Sequence, residues 1–108
     1  MFGDCGVGKT CLRNRWVEGR FTNDVAPTFG VDFNIKALEL LQPVTPGVEG
    51  SDGESRRLQV KVNVYDTSGK AGYQQVNAAY LRAFDGVIFV YDVTSAESLA
   101  MLRRLRDD

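Results

Sequence analysis

The residues best suited to chemistry lie almost at the start of the chain, where residues 3–10 read Gly-Asp-Cys-Gly-Val-Gly-Lys-Thr. This is the pattern G-x-x-x-x-G-K-[ST] of a phosphate-binding loop, whose glycines let the backbone wrap closely and point successive N–H groups at phosphate oxygens. Lys9 would place a positive charge on the β- and γ-phosphates, and the Thr10 hydroxyl would bind Mg²⁺. A chain of this size matches the pattern by chance only roughly a few times in a thousand. The alternative, a glycine-rich turn with an incidental lysine, is therefore the weaker one.

Two later segments carry oxygen donors that suit the same site. The sequence Asp66-Thr67-Ser68-Gly69 directly follows a predicted strand that ends at Tyr65. An aspartate in that position, facing a phosphate-binding loop, can hold Mg²⁺ through a water molecule, and Gly69 could bring its N–H up to a γ-phosphate. Thr28, preceded by Pro27, offers a second hydroxyl for the metal. Because Asp-Thr-Ser-Gly is by itself a common turn, both interpretations depend on the upstream loop.

Hydrophobic periodicity predicts the elements that would hold these groups. A helix is predicted over residues 10–17, with Leu12 and Trp16 on one face. Its positive N-terminal end would face the same anion as the loop. Residues 33–37 and 58–64 alternate between apolar and polar side chains, which is typical of half-buried strands.

The second half of the chain continues this alternation of strand and helix. Residues 87–91, Val-Ile-Phe-Val-Tyr, form a continuous apolar run, as expected of a strand buried on both faces of a parallel sheet. Thr94 is predicted to open a helix, with Glu97 completing a capping box and a buried stripe formed by Leu99, Leu102 and Leu105. The sequence therefore predicts an α/β fold of the P-loop NTPase class, with a doubly wound, mostly parallel sheet and helices on both faces.

Length and composition limit what else the chain could be. Its 108 residues can hold one modest domain, and a net charge of −1 argues against a nucleic-acid partner held by bulk electrostatics. Cys5 and Cys11 are expected to be reduced thiols of a cytosolic protein rather than a disulfide framework. No apolar run is long enough to span a bilayer and no signal peptide is recognisable, so we expect a soluble, intracellular protein.

A segment at about residues 42–56 separates the two alternating strands and is rich in proline, glycine and small polar residues. Such a composition cannot bury enough apolar surface to become ordered, so we predict a flexible hairpin insertion. The segment could bind a partner or be a mobile hairpin tip. The second interpretation is favoured because long hairpin loops cost little free energy.

Taken together and in this order, these motifs resemble the small Ras-like GTPases, and within them the Rab group. Thr28 follows Thr10 by 18 residues, the spacing of the family's first-switch threonine, and residues 66–69 are similar to its Asp-Thr-Ala-Gly second-switch motif. Phe21 stands where the family has an aromatic ring packed against guanine. The resemblance to the Rab group comes from residues 29–33 (Phe-Gly-Val-Asp-Phe), 80–83 (Tyr-Leu-Arg-Ala) and 90–94 (Val-Tyr-Asp-Val-Thr).

The resemblance implies a molecular switch that binds GTP or GDP with Mg²⁺ and acts in intracellular vesicle traffic. The γ-phosphate would order the loops that carry Thr28 and Gly69, and hydrolysis would release them. The implied nucleotide-binding residues are Gly3, Asp4, Cys5, Gly6, Val7, Gly8, Lys9, Thr10, Cys11, Phe21, Thr28, Asp66 and Gly69. The implied metal ligands are Thr10, Thr28 and Asp66, and the implied catalytic residues are Lys9, Thr28, Gly69 and Lys70.

The resemblance also implies protein partners, namely effectors, exchange factors and GTPase-activating proteins that contact the switch loops. Phe33, Tyr65 and Tyr80 match an aromatic triad that the family uses in effector contact. Alternatively, these three rings form hydrophobic core beneath the switches. Peripheral attachment to organelle membranes would require a C-terminal lipid anchor, which is absent from these 108 residues.

Two residues depart from the family pattern close to the site. Lys70 stands where the family has a glutamine that orients the attacking water, and a charged lysine has no acceptor for that task. Slow intrinsic hydrolysis is therefore expected. Arg13 replaces an apolar residue of the first helix, which places a charge on a face expected to be buried.

The chain resembles only part of the family's fold. The family's first strand is reduced to Met1 and Phe2, so the strands at 58–65 and 87–91 are expected to lack their bridging neighbour. The last two strand–helix units, with the Asn-Lys-x-Asp and Ser-Ala-Lys motifs that read guanine, are missing. We therefore expect residues 1–108 to be a partial, marginally stable GTPase domain. The alternatives are a nucleotide-incompetent remnant and another P-loop enzyme, such as an ATP-using nucleotide kinase.

Overall fold

The computed structural model describes residues 1–43, 55–70, 72 and 80–107, and these residues form two helices and two strands. In chain order the elements are α1 (Lys9–Glu18), β1 (Val31–Gln42), β2 (Arg56–Thr67) and α2 (Ala96–Asp107). All four were expected from the periodicity; α1, β1 and β2 extend beyond the shorter segments that the pattern marked, whereas α2 begins later than predicted. Neither helix in the described part of the chain is long and apolar enough to cross a membrane.

Strands β1 and β2 form an antiparallel hairpin with a continuous register. Val31 pairs with Thr67 at one end and Gln42 pairs with Arg56 at the other. This pairing brings the two ends of the segment at 42–56 together, as a hairpin insertion requires. Residues 44–54 lie outside the described residues, so their predicted flexibility stays a prediction.

The register shows why only one of the two alternating patterns is buried. Phe33 pairs with Tyr65 and Asn34 pairs with Val64, so odd-numbered residues of both strands share one face and even-numbered residues share the other. The valines of β2 are even-numbered, whereas the apolar residues 33–37 of β1 are odd-numbered. Val64 is buried, but Phe33 is 46% exposed. The expectation that residues 33–37 turn an apolar side to the core is therefore wrong.

Met1 and Phe2 lie between β2 and the segment 87–91. The Phe2 N–H donates to the Ile88 carbonyl and the Val90 N–H donates to the Phe2 carbonyl, both at 2.8 Å, which makes a parallel bridge. On the other side the Met1 carbonyl accepts from the N–H and the hydroxyl of Thr67, at 3.3 and 2.8 Å. Within the described residues, the expectation that these strands lack a bridging neighbour holds for most of their length, since Met1 and Phe2 connect them only at the end of β2.

Residues 87–91 do not form the strand buried on both faces that their apolar run predicts. Val90 is buried, but Ile88 is 60% exposed and Phe89 is 41% exposed. Within the described residues, the bridge between Phe2 and Phe89 is the regular pairing of this segment. A doubly buried strand needs paired neighbours and covering layers on both sides, and the described elements supply a neighbour on one side.

The end of α1 and the start of α2 each have a clear structural reason. Helix α1 ends at Gly19, which has a φ of 72° and donates its N–H to the Arg15 carbonyl at 3.1 Å. At the start of α2, the Ser98 N–H donates to the Ser95 hydroxyl at 3.3 Å, so Ser95 is the N-cap. The predicted cap at Thr94 is wrong by one residue. Thr94 instead donates its hydroxyl to the Asp92 carboxylate at 2.6 Å.

The side chains of the helices only partly follow the predicted faces. Leu12 and Trp16 of α1 share a face, but both are exposed, at 52% and 44%. In α2, Leu102 and Leu105 are buried as predicted, whereas Leu99 is half-buried. Met101 is buried beside them. The buried stripe of α2 therefore consists of Ser98, Met101, Leu102 and Leu105, and Leu99 lies at its edge.

Candidate functional site

The loop at residues 3–10 leads directly into α1 and has the backbone conformation that its glycines permit. Gly6 and Gly8 have φ angles of 78° and 101°, in the left-handed region that favours glycine. Gly8 is the N-cap of α1 and, lacking a side chain, makes no side-chain cap. The first backbone N–H groups of α1 therefore have no capping side chain, and an anion at this helix end can accept from them.

Gly3 serves a different purpose in the same loop. A Cβ placed on Gly3 would lie 2.2 Å from the Val90 carbonyl oxygen, which is far closer than any real contact. Glycine is required here because the loop passes directly against the backbone of the segment 87–91. The loop is thus positioned by the same pairing that holds Phe2.

Lys9 turns back over the loop that precedes it. Its side chain is buried, and Nζ donates to the Asp4 carbonyl at 2.6 Å. Burial lowers the pKa of Lys9, and the nearby Asp66 carboxylate opposes only part of that shift. Asp4 in turn accepts the Cys5 N–H on its own carboxylate at 2.7 Å. The ammonium group therefore lies against the concave loop, where it could meet a phosphate.

The three predicted metal ligands come together at one point. The Thr10 hydroxyl lies 2.9 Å from the Thr28 hydroxyl and donates to Asp66 Oδ2. The Asp66 side chain is fully buried, and its other oxygen, Oδ1, has no hydrogen-bond partner in the described part of the chain. A buried, unpartnered carboxylate oxygen beside two hydroxyls fits a hard cation such as Mg²⁺. Among the described residues no cluster of three His, Cys, Asp or Glu offers another metal site.

Gly69 lies directly on the phosphate-binding loop. A Cβ added at Gly69 would lie 2.3 Å from the Cys5 nitrogen and 2.4 Å from the Asp4 carbonyl carbon. Backbone atoms cannot move aside as the end of a flexible side chain can, so only glycine fits here. The contact brings the end of β2 and the N-terminal loop together, as a shared ligand would require.

A cavity of about 250 Å³ opens between these groups. It is lined by loop and helix residues, by Asn23 and residues 25–28, and by residues 67–69. A larger, more open cleft of about 590 Å³ continues from Thr10 and Thr28 towards Arg13 and Asp32. Sequence reasoning missed Asn23 and Val25, because nothing in their spacing marks them. Phe21, predicted to pack on a base, is 65% exposed and lines neither cavity.

Comparison with known proteins identifies the relatives of this chain. A family model described as the Ras family matches residues 1–108, the entire chain. The chain belongs to the Ras family. It is 35% identical over 104 residues to Ras-related protein Rab-1C from Dictyostelium discoideum, and 39% identical over 98 residues to GTP-binding protein YPT1 from Saccharomyces cerevisiae. These matches cover 96% and 91% of this chain, but only 44% and 40% of the relatives.

Family membership confirms the predicted resemblance to the Rab group and the P-loop fold class. The described sheet is an antiparallel pair with one parallel bridge, which is a part of the mostly parallel sheet that was predicted. The chain spans about two-fifths of the length of the relatives quoted above. The roles of the individual site residues stay predictions, to which the geometry adds their mutual positions.

Lys70, the first departure from the family pattern, lies against an aromatic ring. Its ammonium nitrogen is 4.0 Å from the centroid of the Phe29 ring, a cation–π contact. Its backbone N–H donates to the Ser68 hydroxyl at 3.3 Å. The contact joins the loop after β2 to the loop before β1, so in this Ras-family chain the two predicted switch segments touch through Lys70.

Arg13, the second residue that departs from the family pattern, is buried and has polar partners. Its guanidinium lies against the carboxylates of Asp32 and Asp66, and it donates from Nε and a terminal nitrogen to Asn14 at 3.1 and 2.8 Å. The expected conflict between a charge and a buried face is therefore resolved by two acidic partners. Asp32 was missed as a site residue, since its partner on α1 is distant in sequence and no local pattern links them.

The predicted aromatic triad is connected through a ring that the sequence did not mark. Phe33 and Tyr65 lie 5.0 Å apart between ring centroids, and Phe84 contacts Tyr65 at 4.9 Å and Tyr80 at 6.1 Å. Phe84 also contacts the buried Phe2 at 6.1 Å. Phe33 is 46% exposed and Tyr80 is 39% exposed, whereas Tyr65 is half-buried. The cluster therefore combines a core contact with an exposed aromatic surface, and both interpretations of the triad remain open.

Proposed function

We propose that this chain is the nucleotide-binding part of a Rab-like small GTPase, a switch that binds GTP or GDP with Mg²⁺ and hydrolyses GTP slowly in intracellular vesicle traffic. The observation that supports this proposal most is that the predicted phosphate and metal ligands lie together at the N-terminus of α1. Around one cavity there the structure places Lys9, Thr10, Thr28, Asp66 and Gly69. The name of the yeast relative, a GTP-binding protein, agrees with this proposal.

Each residue has a task that follows from its position. The N–H groups at the start of α1 donate to no capping side chain and would donate to phosphate oxygens. Lys9 would place its charge on the β- and γ-phosphates. Thr10, Thr28 and the unpartnered oxygen of Asp66 would hold Mg²⁺, which when bound neutralises phosphate charge. Gly69 would present its N–H beside the loop.

Nucleotide binding can be measured directly with a pair of matched lysine variants. Fluorescent GDP is titrated into the 108-residue chain in Mg²⁺ buffer, and unlabelled GTP and ATP then compete for it. We expect GTP to displace the probe at least as well as ATP, since the phosphates carry the binding and the motifs that read guanine are absent from these 108 residues. Lys9→Met should weaken binding by about 100-fold, because a charged hydrogen-bond donor to phosphate is worth about 1.5–3 kcal/mol. Lys61→Met, the same change at an exposed position of β2, should bind like the wild type.

Three results would contradict the proposal in different ways. Displacement by ATP but not by GTP would point to another P-loop enzyme. Equal affinity of Lys9→Met and wild type would remove the loop from the site. A chain that retains no nucleotide in Mg²⁺ would be a nucleotide-incompetent remnant, acting if at all through protein contacts.

We propose slow hydrolysis of GTP because of the residue type at Lys70. The charged ammonium cannot accept a hydrogen bond from water, and it is engaged with the Phe29 ring. Single-turnover hydrolysis of GTP should therefore be faster in Lys70→Gln, which restores an acceptor, by about tenfold or more. Lys70→Met removes the charge without supplying an acceptor and should stay slow. Equal rates in Lys70→Gln and wild type would remove this part of the proposal.

The proposed partners are effectors, exchange factors and GTPase-activating proteins that contact the switch loops. The exposed parts of Phe33 and Tyr80, with Tyr65 between them, are the aromatic surface that such partners would contact. If the complete protein is prenylated, it would work on the surface of organelle membranes.

A further inference from the structure

A buried cation lies beside the candidate metal ligands. Arg13 places one terminal nitrogen, NH1, 2.5 Å from Asp32 Oδ2 and 3.5 Å from Asp66 Oδ2. The Arg13 side chain is 10% exposed and that of Asp66 is 0% exposed, while that of Asp32 is 58% exposed. With Asn14 accepting from two further nitrogens, the guanidinium contacts α1, the start of β1 and the end of β2.

The two oxygens of Asp66 have different partners as a result. Oδ2 accepts from the Thr10 hydroxyl and faces Arg13, whereas Oδ1 is buried with no hydrogen-bond partner in the described residues. The contacts to Oδ2 fix the orientation of the carboxylate, so that Oδ1 is the oxygen left for a ligand. Arg13 therefore positions Asp66 as well as neutralising it.

The same charge works against a metal cation at this site. A guanidinium and a divalent cation are both attracted to the Asp66 carboxylate, and they repel one another. At an effective dielectric constant of about 20, a unit charge several ångströms from a divalent cation changes its affinity by about tenfold or more. Asp32 draws Arg13 in the opposite direction, since the shorter of the two contacts is to Asp32.

We propose that Arg13 is a positioning residue that lowers the affinity of the site for Mg²⁺, and that Asp32 sets how strongly it does so. This inference rests on the proposed function, because it assigns the regulation of the same metal site. Asp32 lies at the start of β1, directly after the loop that carries Thr28. A change in that loop is thereby coupled to the charge at Asp66.

Two substitutions should shift the Mg²⁺ requirement in opposite directions. The full 108-residue chain is loaded with fluorescent GDP, and the free Mg²⁺ concentration that gives half-maximal nucleotide retention is measured, with calorimetry of Mg²⁺ binding to the GDP-loaded chain alongside. Arg13→Leu removes the competing charge, and its midpoint should fall about tenfold. Asp32→Asn removes one of the two carboxylates that contact Arg13, so that Asp66 is its remaining acidic partner. The Mg²⁺ midpoint of this variant should rise by about threefold to tenfold.

Two controls separate charge from packing and from stability. Arg13→Lys keeps the charge while losing the planar fork, so its midpoint should stay closer to the wild type than that of Arg13→Leu does. Glu39→Gln breaks an exposed ion pair with Arg57 along the hairpin and should leave the midpoint unchanged. Asp32 is exposed, so Asp32→Asn remains informative even if Arg13→Leu fails to fold.

The outcomes distinguish this inference from the proposed function. Midpoints that rise in both Arg13→Leu and Asp32→Asn would show a merely structural role and overturn the inference, as would a midpoint in Asp32→Asn equal to or below the wild type. If the wild-type chain retains nucleotide in Mg²⁺, those failures leave the proposed function standing. If the wild type retains none, the proposed function is overturned and the inference with it.

Discussion

Around the phosphate-binding loop the buried side chains are polar, whereas along residues 87–91 and the β1–β2 hairpin the large apolar side chains are exposed. Lys9, Arg13, Asp66 and Thr67 are all buried, yet Ile88 is 60% exposed. Leu41, Phe89 and Tyr91 are also exposed. The order of burial expected from hydrophobicity alone is inverted between these two regions.

The difference follows from what each region needs for its structure. The site is assembled by short contacts that the chain supplies itself: a glycine-lined turn, a helix end, and hydrogen bonds among Thr10, Thr28 and Asp66. A doubly buried strand depends instead on neighbouring strands and on helices above and below. The described elements supply the first kind of contact fully and the second kind only through Met1 and Phe2.

The largest expected effect concerns that connection. Phe2 is 1% exposed and contacts Phe84 and Phe89, so Phe2→Ala should lower the free energy of unfolding by about 3–5 kcal/mol. Ile88→Ala, at a 60% exposed position, should cost less than about 1 kcal/mol. Urea denaturation followed by circular dichroism measures both. If both substitutions lowered the free energy of unfolding equally, the segment 87–91 would be as buried as Phe2. The comparison between the two regions would then fail.

A smaller effect, confined to the site, is expected at Gly69. A methyl group there meets the backbone of Asp4 and Cys5, so Gly69→Ala should separate the end of β2 from the loop and weaken GDP binding by about 100-fold. Among the described residues, none lies within 4 Å of the position that a Cβ on Gly72 would take, and Gly72→Ala should bind as the wild type does. Fluorescence titration of GDP into both variants gives the ratio of their affinities to that of the wild type. Matching affinities would show that the loop and Gly69 do not act as one site.

The smallest expected effect is on stability without nucleotide. Because burial lowers the pKa of Lys9, the unfolded chain holds this proton more tightly than the folded chain does. Stability should therefore increase as the pH rises from the lowered pKa towards the ordinary lysine value, and it should be reduced below that window. Lys9→Met should remove this pH dependence and raise the melting temperature of the nucleotide-free chain by roughly a few degrees. Thermal unfolding of both chains at several alkaline pH values tests this prediction. A lower melting temperature for Lys9→Met than for the wild type would contradict it.

Short motifs predicted the site better than periodicity predicted the fold. The motifs around the loop, Thr28 and Asp66 anticipated three oxygens that the structure brings together, because the resemblance to the Ras-like family supplied their spacing. The face of β1 could not be predicted, since it depends on the register with β2, which two separate alternations do not determine. The pairing of Arg13 with Asp32 joins α1 to β1 across a long stretch of chain, and no local pattern reports such a contact.

The central claim is that an amide-lined loop, one lysine and three oxygen ligands form a single site for a nucleotide with its metal. Titration calorimetry of GTP into the 108-residue chain, first with Mg²⁺ and then with the metal chelated, tests it most directly. The account predicts saturable heat with Mg²⁺ and clearly weaker binding without it. Absence of heat with both GTP and ATP, in a chain that circular dichroism shows to be folded, would contradict it.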